Sequence, residues 1–251
     1  MSEHPDRRAF LKSLGTVGAT GVAAIVSGDT ALSDTATGEA IAEPQAGAAP
    51  PAVPASPAAA LHTYTFLSPP EAAFVEAAVD RLIPADDLTP GGTDCGVATF
   101  IDRQLAGAFG SGDRMYMQGP WQKGTPGQGY QSPMTPAELV RAAIAATNAH
   151  CRKTYQKEFD RLPREQQVAL LQQLERGEVA LDPLSSAQFF DLLLNLTMQG
   201  FFADPVYGGN RDKVAWKMIG FPGAIAIHSQ NIKTYRNKKY DVEPTSIVDL
   251  S

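Results

Sequence analysis

Apolar side chains recur at helical spacing over most of the chain beyond residue 61. Two segments, Ser68-Pro69-Pro70-Glu71 and Thr135-Pro136-Ala137-Glu138, have the sequence of a capping box with proline in the first helical turn. Such segments mark helix starts. The residues after them, and three further segments, repeat their apolar positions with the period of an amphipathic helix. The five stripes lie within residues 74–83, 97–109, 139–155, 168–174 and 189–196.

The same pattern disfavours β-structure. No stretch of strict alternation between apolar and polar residues is longer than about four positions, shorter than a half-buried strand usually shows. We therefore predict an all-α fold, an irregular single-domain bundle of about five to seven helices with long Gly/Pro-rich loops. The bundle is expected to occupy residues 63–251.

A long segment without helical pattern interrupts the predicted helices. Residues 110–136 hold six glycines and four prolines in 27 positions. Loops of this length inside a compact domain are usually functional or disordered, and the aromatic residues Trp121 and Tyr130 argue against disorder. Two interpretations stay open: the loop folds over its own core, or these two aromatic residues contact a partner protein.

The N-terminal residues resemble an export signal. Arg7-Arg8 followed by Phe10-Leu11-Lys12 resembles the twin-arginine motif, and a mildly apolar stretch at 14–26 follows it. That stretch is too short to span a bilayer but has the length of a signal h-region. We assign residues 1–42 as a twin-arginine signal region and expect a periplasmic protein. The alternative is a basic N-terminal arm that leads into a short helix.

Composition separates the signal region from the predicted bundle. Residues 44–60 contain five prolines and eight alanines in 17 positions, so they bury too little apolar surface to fold. Residues 43–62 are therefore predicted to be an extended tether. The chain has a net charge of −6, which argues against nucleic acid as a partner. It also lacks a run of 18 apolar residues that would predict a membrane-spanning helix.

Cys95 and Cys151 are the two cysteines of the chain. Two cysteines are too few for a zinc ribbon or a four-cysteine iron–sulfur cluster. If export delivers the chain to an oxidising compartment, they are able to form a disulfide bridge. The alternative is a pair of buried thiols.

The common catalytic and cofactor motifs do not occur in the sequence. There is no dinucleotide fingerprint, no covalent haem motif, no nucleophile elbow and no zinc-protease motif. Three histidines beyond residue 60, His62, His150 and His228, lie far apart. We therefore predict no catalytic, cofactor-binding or metal-binding residues in this chain.

Residues 200–223 combine turn-forming and aromatic residues to an unusual degree. Gly208-Gly209-Asn210 predicts a tight turn, and Asp204-Pro205 and Pro222-Gly223 predict two more chain reversals. The block is either a rigid corner of the fold or a contact surface for a partner, and the two interpretations are compatible. The candidate contact residues are Phe201, Phe202, Asp204, Tyr207, Asn210, Arg211, Trp216 and Phe221.

This block and several shorter stretches resemble the gluconate 2-dehydrogenase subunit 3 family, over roughly residues 64–240. Its members are small subunits of membrane-associated, flavin-dependent sugar and sugar-acid dehydrogenases. The shorter stretches are Phe66-Leu-Ser-Pro-Pro-Glu71, Arg81-Leu-Ile-Pro-Ala-Asp-Asp87, Phe100-Ile-Asp-Arg-Gln-Leu105, Gln118-Gly-Pro-Trp121 and Gly129-Tyr-Gln-Ser-Pro133.

The resemblance implies a non-catalytic subunit that exports, matures or stabilises a catalytic partner. That partner is a flavoprotein of the glucose-methanol-choline oxidoreductase type, which carries FAD and passes electrons to a multihaem cytochrome c. The complex is associated with the inner membrane on its periplasmic side, and the twin-arginine machinery would carry the folded pair across.

Two other functions are compatible with the residues. A free-standing secreted enzyme of the hydrolase type would use Asp204 and Arg211 from the glycine-rich block together with His228. A periplasmic solute-binding protein is the weaker alternative, because such proteins are usually larger and of the α/β class.

Overall fold

The protein is a bundle of α-helices. The computed structural model describes residues 64–122, 124–125, 128, 131–225 and 227–250. Within them lie eight α-helices, four short 3₁₀ segments and no β-strand. The helices are α1 (Pro69–Leu82), α2 (Val97–Ala106), α3 (Ala108–Ser111), α4 (Pro136–Tyr155), α5 (Arg164–Glu175), α6 (Ser186–Phe202), α7 (Val214–Ile219) and α8 (Ser229–Thr234). The 3₁₀ segments are Phe159–Arg161, Pro205–Tyr207, Arg211–Lys213 and Ile247–Leu250.

The predicted all-α single-domain fold is confirmed. The described residues contain eight α-helices, one more than the upper end of the predicted five to seven. Five of the helices in the described residues have ten or more residues and correspond to the five apolar stripes. The other three have four to six residues, too few for a helical stripe to be visible in the sequence.

Both predicted capping boxes form. At the start of α1 the Glu71 carboxylate accepts a hydrogen bond from the Ser68 N–H at 2.8 Å. At the start of α4 the Glu138 carboxylate accepts from the Thr135 N–H at 2.9 Å, and the Thr135 hydroxyl accepts from the Glu138 N–H at 3.3 Å. These bonds satisfy backbone donors that an α-helix leaves without partners at its N-terminus.

The centre of the core is a cluster of three phenylalanine rings around Phe74 of α1. The Phe74 ring lies with its centroid 4.6 Å from that of Phe159 and 6.1 Å from that of Phe189. All three side chains are fully buried. Phe159 comes from the 3₁₀ segment after α4, so the core takes a large side chain from a link between helices.

Asp102 is a buried carboxylate that fixes the segment before α1 against α2. Its side chain is 2% exposed and accepts three backbone hydrogen bonds, from the N–H groups of Thr65 at 2.8 Å, Phe66 at 2.8 Å and Leu67 at 2.9 Å. Hydrogen bonds to a charged acceptor are about twice as strong as neutral ones. Asp102 therefore sets where the chain enters the bundle.

None of the helices in the described ranges is long and apolar enough to cross a membrane.

Candidate functional site

Residues 200–223, which we call the corner, are held by three close contacts at glycines, two with backbone carbonyls and one with an aromatic ring. A Cβ atom on Gly209 would lie 2.0 Å from the Gly200 carbonyl oxygen, and one on Gly96 would lie 2.4 Å from the Gly208 carbonyl oxygen. A Cβ atom on Gly200 would lie 2.9 Å from the Phe100 ring. The end of α6, the start of α2 and the turn after α6 thus meet at a distance that side chains would prevent.

Asn210 joins the two sides of this turn. It is fully buried, with a backbone φ of 45° in the left-handed region that asparagine tolerates. Its amide nitrogen donates to the Ala203 carbonyl at 2.9 Å, and its side-chain oxygen accepts from the Ala215 N–H at 2.9 Å. One side chain therefore connects the chain directly after α6 to α7.

Trp216 holds α7 against the end of α6. Its indole N–H donates to the Phe202 carbonyl at 2.9 Å, and its ring packs edge-on against Phe221 with centroids 5.2 Å apart. The indole is buried. Since both its polar and its apolar parts are engaged, Trp216 acts as an internal anchor of the corner.

The C-terminal segment, residues 241–250, closes over the corner through Asp204. The Asp204 carboxylate accepts from the Ser246 hydroxyl at 2.6 Å, the Ile247 N–H at 2.9 Å and the Val206 N–H at 3.0 Å. Nearby, the Lys213 ammonium lies 2.7 Å from the Asp249 carboxylate.

Backbone hydrogen bonds join the same segment to the end of the corner. The Thr245 N–H donates to the Pro222 carbonyl at 3.0 Å, and the Thr245 carbonyl accepts from the Ala224 N–H at 2.7 Å. The C-terminal segment is therefore part of the site, which the sequence did not predict.

An exposed apolar surface lies where the corner meets this segment. Of thirteen large apolar residues that are exposed in the described part of the chain, eleven lie between residues 206 and 250. Nine of these belong to the corner and the C-terminal segment, and we call them the corner surface. They are Val206, Tyr207, Met218, Ile219, Phe221, Val242, Ile247, Val248 and Leu250.

A family comparison identifies what kind of chain carries this corner. The family model for gluconate 2-dehydrogenase subunit 3 matches residues 69–223, from the first residue of α1 to the last residue of the corner and thus more than half of the chain. The chain belongs to the gluconate 2-dehydrogenase subunit 3 family. Neither the curated proteins nor the solved structures yielded a match. The resemblance noted in the sequence is confirmed, and the chain is a subunit of a dehydrogenase complex of this type.

The structure divides the candidate contact residues of the corner into internal and external groups. Phe201, Asn210 and Trp216 are buried, so they build the subunit and present no surface to a partner. Phe202 and Asp204 are half-buried, and Arg211 is exposed. Tyr207 and Phe221 are the two exposed aromatic residues, at 51% and 44%. Of the aromatic residues in the corner, Phe201 and Trp216 therefore pack inside the subunit, and Tyr207 and Phe221 are the ones exposed to a partner.

In the loop before α4, Trp121 is half-buried and packs on the backbone. Its indole nitrogen would lie 3.4 Å from a Cβ atom on Gly119, so the ring covers that glycine. Tyr130 lies outside the described residues. Tyr116, which the sequence analysis did not select, is 78% exposed. A contact of this loop with a partner stays a prediction.

Both cysteines of the subunit are buried and present as thiols, not joined to each other. The Cys95 Sγ lies 3.5 Å from the Pro90 carbonyl oxygen as a weak donor. Burial raises the pKa of the Cys151 thiol to about 11, which disfavours the reactive thiolate at neutral pH. This arrangement matches the alternative of two buried thiols. The disulfide stays a prediction, which thiol counting in denatured, unreduced protein tests.

The residues of the hydrolase alternative have other tasks in the structure. Three donors within the subunit already occupy the Asp204 carboxylate. Arg211 lies close enough to Tyr64 for its charge to act on that phenol, although burial and Glu76 outweigh it and raise the Tyr64 pKa. His228 precedes α8, with its ring centroid 6.3 Å from that of Tyr240. Each residue therefore serves a different segment.

The twin-arginine residues Arg7, Arg8, Phe10, Leu11 and Lys12 lie outside the described residues. Within the described ranges, no group of three or more His, Cys, Asp and Glu side chains is placed to hold a metal ion.

Acid should release the C-terminal segment from the corner. Partial burial raises the Asp204 pKa, but the hydrogen bonds from Ser246, Val206 and Ile247 outweigh it and hold the pKa below its ordinary value. A hydrogen bond from Lys213 lowers the Asp249 pKa in the same way. Stabilisation by a carboxylate with a depressed pKa is complete above its unfolded pKa of about 4 and is lost as the pH falls through the folded value.

Hydrogen exchange measures this release. The protection factor of the Ile247 amide should stay constant from neutral pH down to about pH 5 and fall below about pH 4. The Asp204→Asn variant should show low protection of this amide over the whole range. The Ala72 amide in α1, which donates to the Ser68 carbonyl, is the internal control. Equal protection of Ile247 at neutral and acid pH would contradict the carboxylate anchor.

Proposed function

We propose that the subunit is the non-catalytic small subunit of a periplasmic, flavin-dependent gluconate or sugar dehydrogenase complex, and that its corner surface binds the flavoprotein catalytic subunit. The family match carries this proposal, because it includes the whole corner. The concentration of exposed apolar side chains at the same place supports it. Contiguous apolar patches on soluble proteins commonly mark interaction sites.

The corner has the physical properties of a preformed interface. Its exposed aromatic residues, Tyr207 and Phe221, are of the kind that supplies much of the binding energy in protein complexes. Phe221 is fixed against Trp216, and Asn210 and the close glycine contacts fix the turn beneath them. A surface that is ordered before binding loses little conformational entropy when the partner docks.

In this proposal the redox chemistry belongs to the other subunits. A flavoprotein of the glucose-methanol-choline oxidoreductase type holds FAD and the substrate, and a multihaem cytochrome c accepts the electrons at the inner membrane. The residues of this subunit hold the flavoprotein, and its N-terminal signal directs export by the twin-arginine machinery.

Co-purification with the flavoprotein tests the interface. Tyr207→Ala combined with Phe221→Ala should weaken the complex at least about 30-fold, since truncation of a single interface anchor already costs about 2 kcal/mol. Leu88→Ala is the matched control, because Leu88 is 72% exposed and lies outside the corner. Loss of the contact between Phe221 and Trp216 should cost about 1 kcal/mol of subunit stability, which thermal unfolding of the isolated subunit measures.

The same assay separates the corner from the loop. If the corner variant retains the flavoprotein as tightly as the Leu88→Ala control, while Trp121→Ala with Tyr130→Ala loses it, the loop is the interface and the corner is not. If neither variant weakens the complex, both assignments are wrong.

The export role has its own experiment. Arginine and lysine are not interchangeable where a receptor reads the guanidinium group. Arg7→Lys with Arg8→Lys should therefore leave the subunit in the cytoplasm, and a flavoprotein without its own signal should remain there with it. Cell fractionation with a dye-linked dehydrogenase assay measures both. Normal periplasmic amounts of both chains would refute the export role. A retained subunit beside a normally exported flavoprotein would refute only the escort.

A further inference from the structure

Residues 227–240, which we call the basic face, differ in charge from the rest of the chain. They carry four cationic side chains and no aspartate or glutamate, although the chain as a whole has a net charge of −6. All four cationic residues are exposed. They are Lys233, Arg236, Lys238 and Lys239.

Two strongly exposed aliphatic residues accompany these cations. Ile227 is 73% exposed and Ile232 is 70% exposed, and the second belongs to the short helix α8. The basic face lies beyond residue 223, where the family match ends. It shares no residue with the nine residues of the corner surface.

The basic face contains a shallow depression of about 350 Å³ that is widely open to solvent. Two tyrosines order it: Tyr235 and Tyr240 pack edge-on with ring centroids 4.6 Å apart, and the Asn231 amide donates to the Tyr240 hydroxyl at 2.9 Å. Ile232, Arg236 and Lys238 also line the depression, as does His228. Aliphatic, aromatic and cationic side chains therefore line the same shallow depression.

We infer that the basic face docks on the surface of an anionic phospholipid bilayer, with a headgroup phosphate in the depression. Cationic residues near an anionic membrane each contribute to binding, and exposed aliphatic side chains enter the boundary between headgroups and acyl chains. Tyrosine suits the same depth, since its ring is apolar and its hydroxyl is polar.

The composition favours a bilayer over an acidic protein as the occupant. Lysine is depleted in protein–protein interfaces, and three of the four cations are lysines. Lys239 is paired with Asp241 at 3.0 Å, but both side chains are about four-fifths exposed. Such an exposed ion pair is weak, so the Lys239 ammonium is able to leave Asp241 and bind a lipid phosphate instead.

Vesicle flotation with the full-length chain tests the inference without any other subunit. The chain should bind vesicles of phosphatidylcholine with about 30 mol% phosphatidylglycerol, bind phosphatidylcholine vesicles at least about tenfold less, and dissociate as salt rises. The fourfold variant Lys233→Gln, Arg236→Gln, Lys238→Gln, Lys239→Gln should lose at least about 30-fold of the binding to anionic vesicles. Ile227→Ser with Ile232→Ser should lose about tenfold.

A matched control removes the same charge elsewhere. The matched variant combines Lys153→Gln, Lys157→Gln, Arg161→Gln and Arg164→Gln, which change four exposed cations between the last turn of α4 and the first residue of α5. This variant should bind within about threefold of the parent. All variants keep residues 1–60, so any contribution of that segment is equal throughout.

Several outcomes would overturn the inference. Equal losses in the two fourfold variants, or equal binding to neutral and anionic vesicles, would remove the basic face as a lipid site. Release by millimolar inorganic phosphate at constant ionic strength would assign the depression to the free ion. Unchanged vesicle binding by the fourfold variant of the basic face would exclude the lipid contact. Because the assay needs no flavoprotein, its result is independent of the proposed function.

Discussion

Replacing Gly209 with alanine should destabilise the subunit by about 3 kcal/mol or more, since it forces an atom into a packed contact that does not yield easily. The added Cβ would lie 2.0 Å from the Gly200 carbonyl oxygen. Neither group is a side chain that is free to rotate away, so the end of α6 and the turn must separate. Separation also moves Asn210, whose two hydrogen bonds span the same gap.

Chemical denaturation of the isolated subunit measures this loss, and Gly220→Ala provides the control. A Cβ atom on Gly220 meets no atom within 4 Å, although the residue has a φ of 70°. Its substitution should therefore cost only the backbone strain of a left-handed residue, about 1 kcal/mol. Equal losses at the two positions would show that the close contact is not needed for stability.

Asp102→Ala should destabilise the subunit by about 3 kcal/mol. The substitution leaves the N–H groups of Thr65, Phe66 and Leu67 without their acceptor. Leu67 is the buried donor among the three, and a buried donor that loses its partner keeps the full cost of desolvation. The segment before α1 should detach first, and protease cleavage near residue 65 should become faster than in the parent.

Two variants separate the hydrogen bonds of Asp102 from its charge. Asp102→Asn keeps the oxygen that accepts from Phe66 and Leu67 but places an amide nitrogen opposite the Thr65 N–H, so its loss should be intermediate. Asp87→Ala removes an exposed carboxylate from a turn and should change stability by less than about 0.5 kcal/mol. If Asp102→Ala costs no more than Asp87→Ala, the anchoring role is wrong.

The long helices follow directly from the sequence because their signals are local. Capping boxes and apolar stripes depend on residues three or four positions apart, and these signals predict α1 and α4 well. Phe159 gave no such signal, since a 3₁₀ turn of three residues has no stripe. Its burial depends on Phe74 and Phe189, which come from distant parts of the chain.

The spacing of apolar residues in α2 already indicates that Asp102 is a buried hydrogen-bond acceptor. It lies four residues after Ala98 and three before Leu105, on the buried face of α2. A carboxylate on an apolar face needs hydrogen-bond partners, and this rule was sufficient to expect them. The sequence does not say that the partners come from residues 65–67, because that pairing is tertiary.

In the corner, too, the sequence predicts the features that depend on neighbouring residues and misses those that depend on distant ones. Its turns follow from Gly208-Gly209-Asn210, which is local chemistry. Whether Trp216 faces a partner or the subunit's own interior depends on the Phe202 carbonyl, to which it donates. The C-terminal segment gave no pattern of its own, since its contacts are with Asp204, Lys213 and Pro222.

The closure of the corner by the last ten described residues also fixes when this part of the subunit matures. Domains fold during synthesis as successive parts of the chain emerge, and Ser246, Ile247 and Asp249 are made after the eight helices of the described residues. The earlier helices are able to form while translation continues. The exposed face shared by the corner and the C-terminal segment forms only after residues 241–250 have emerged from the ribosome, so any partner that recognises it meets a subunit whose helices have already been made.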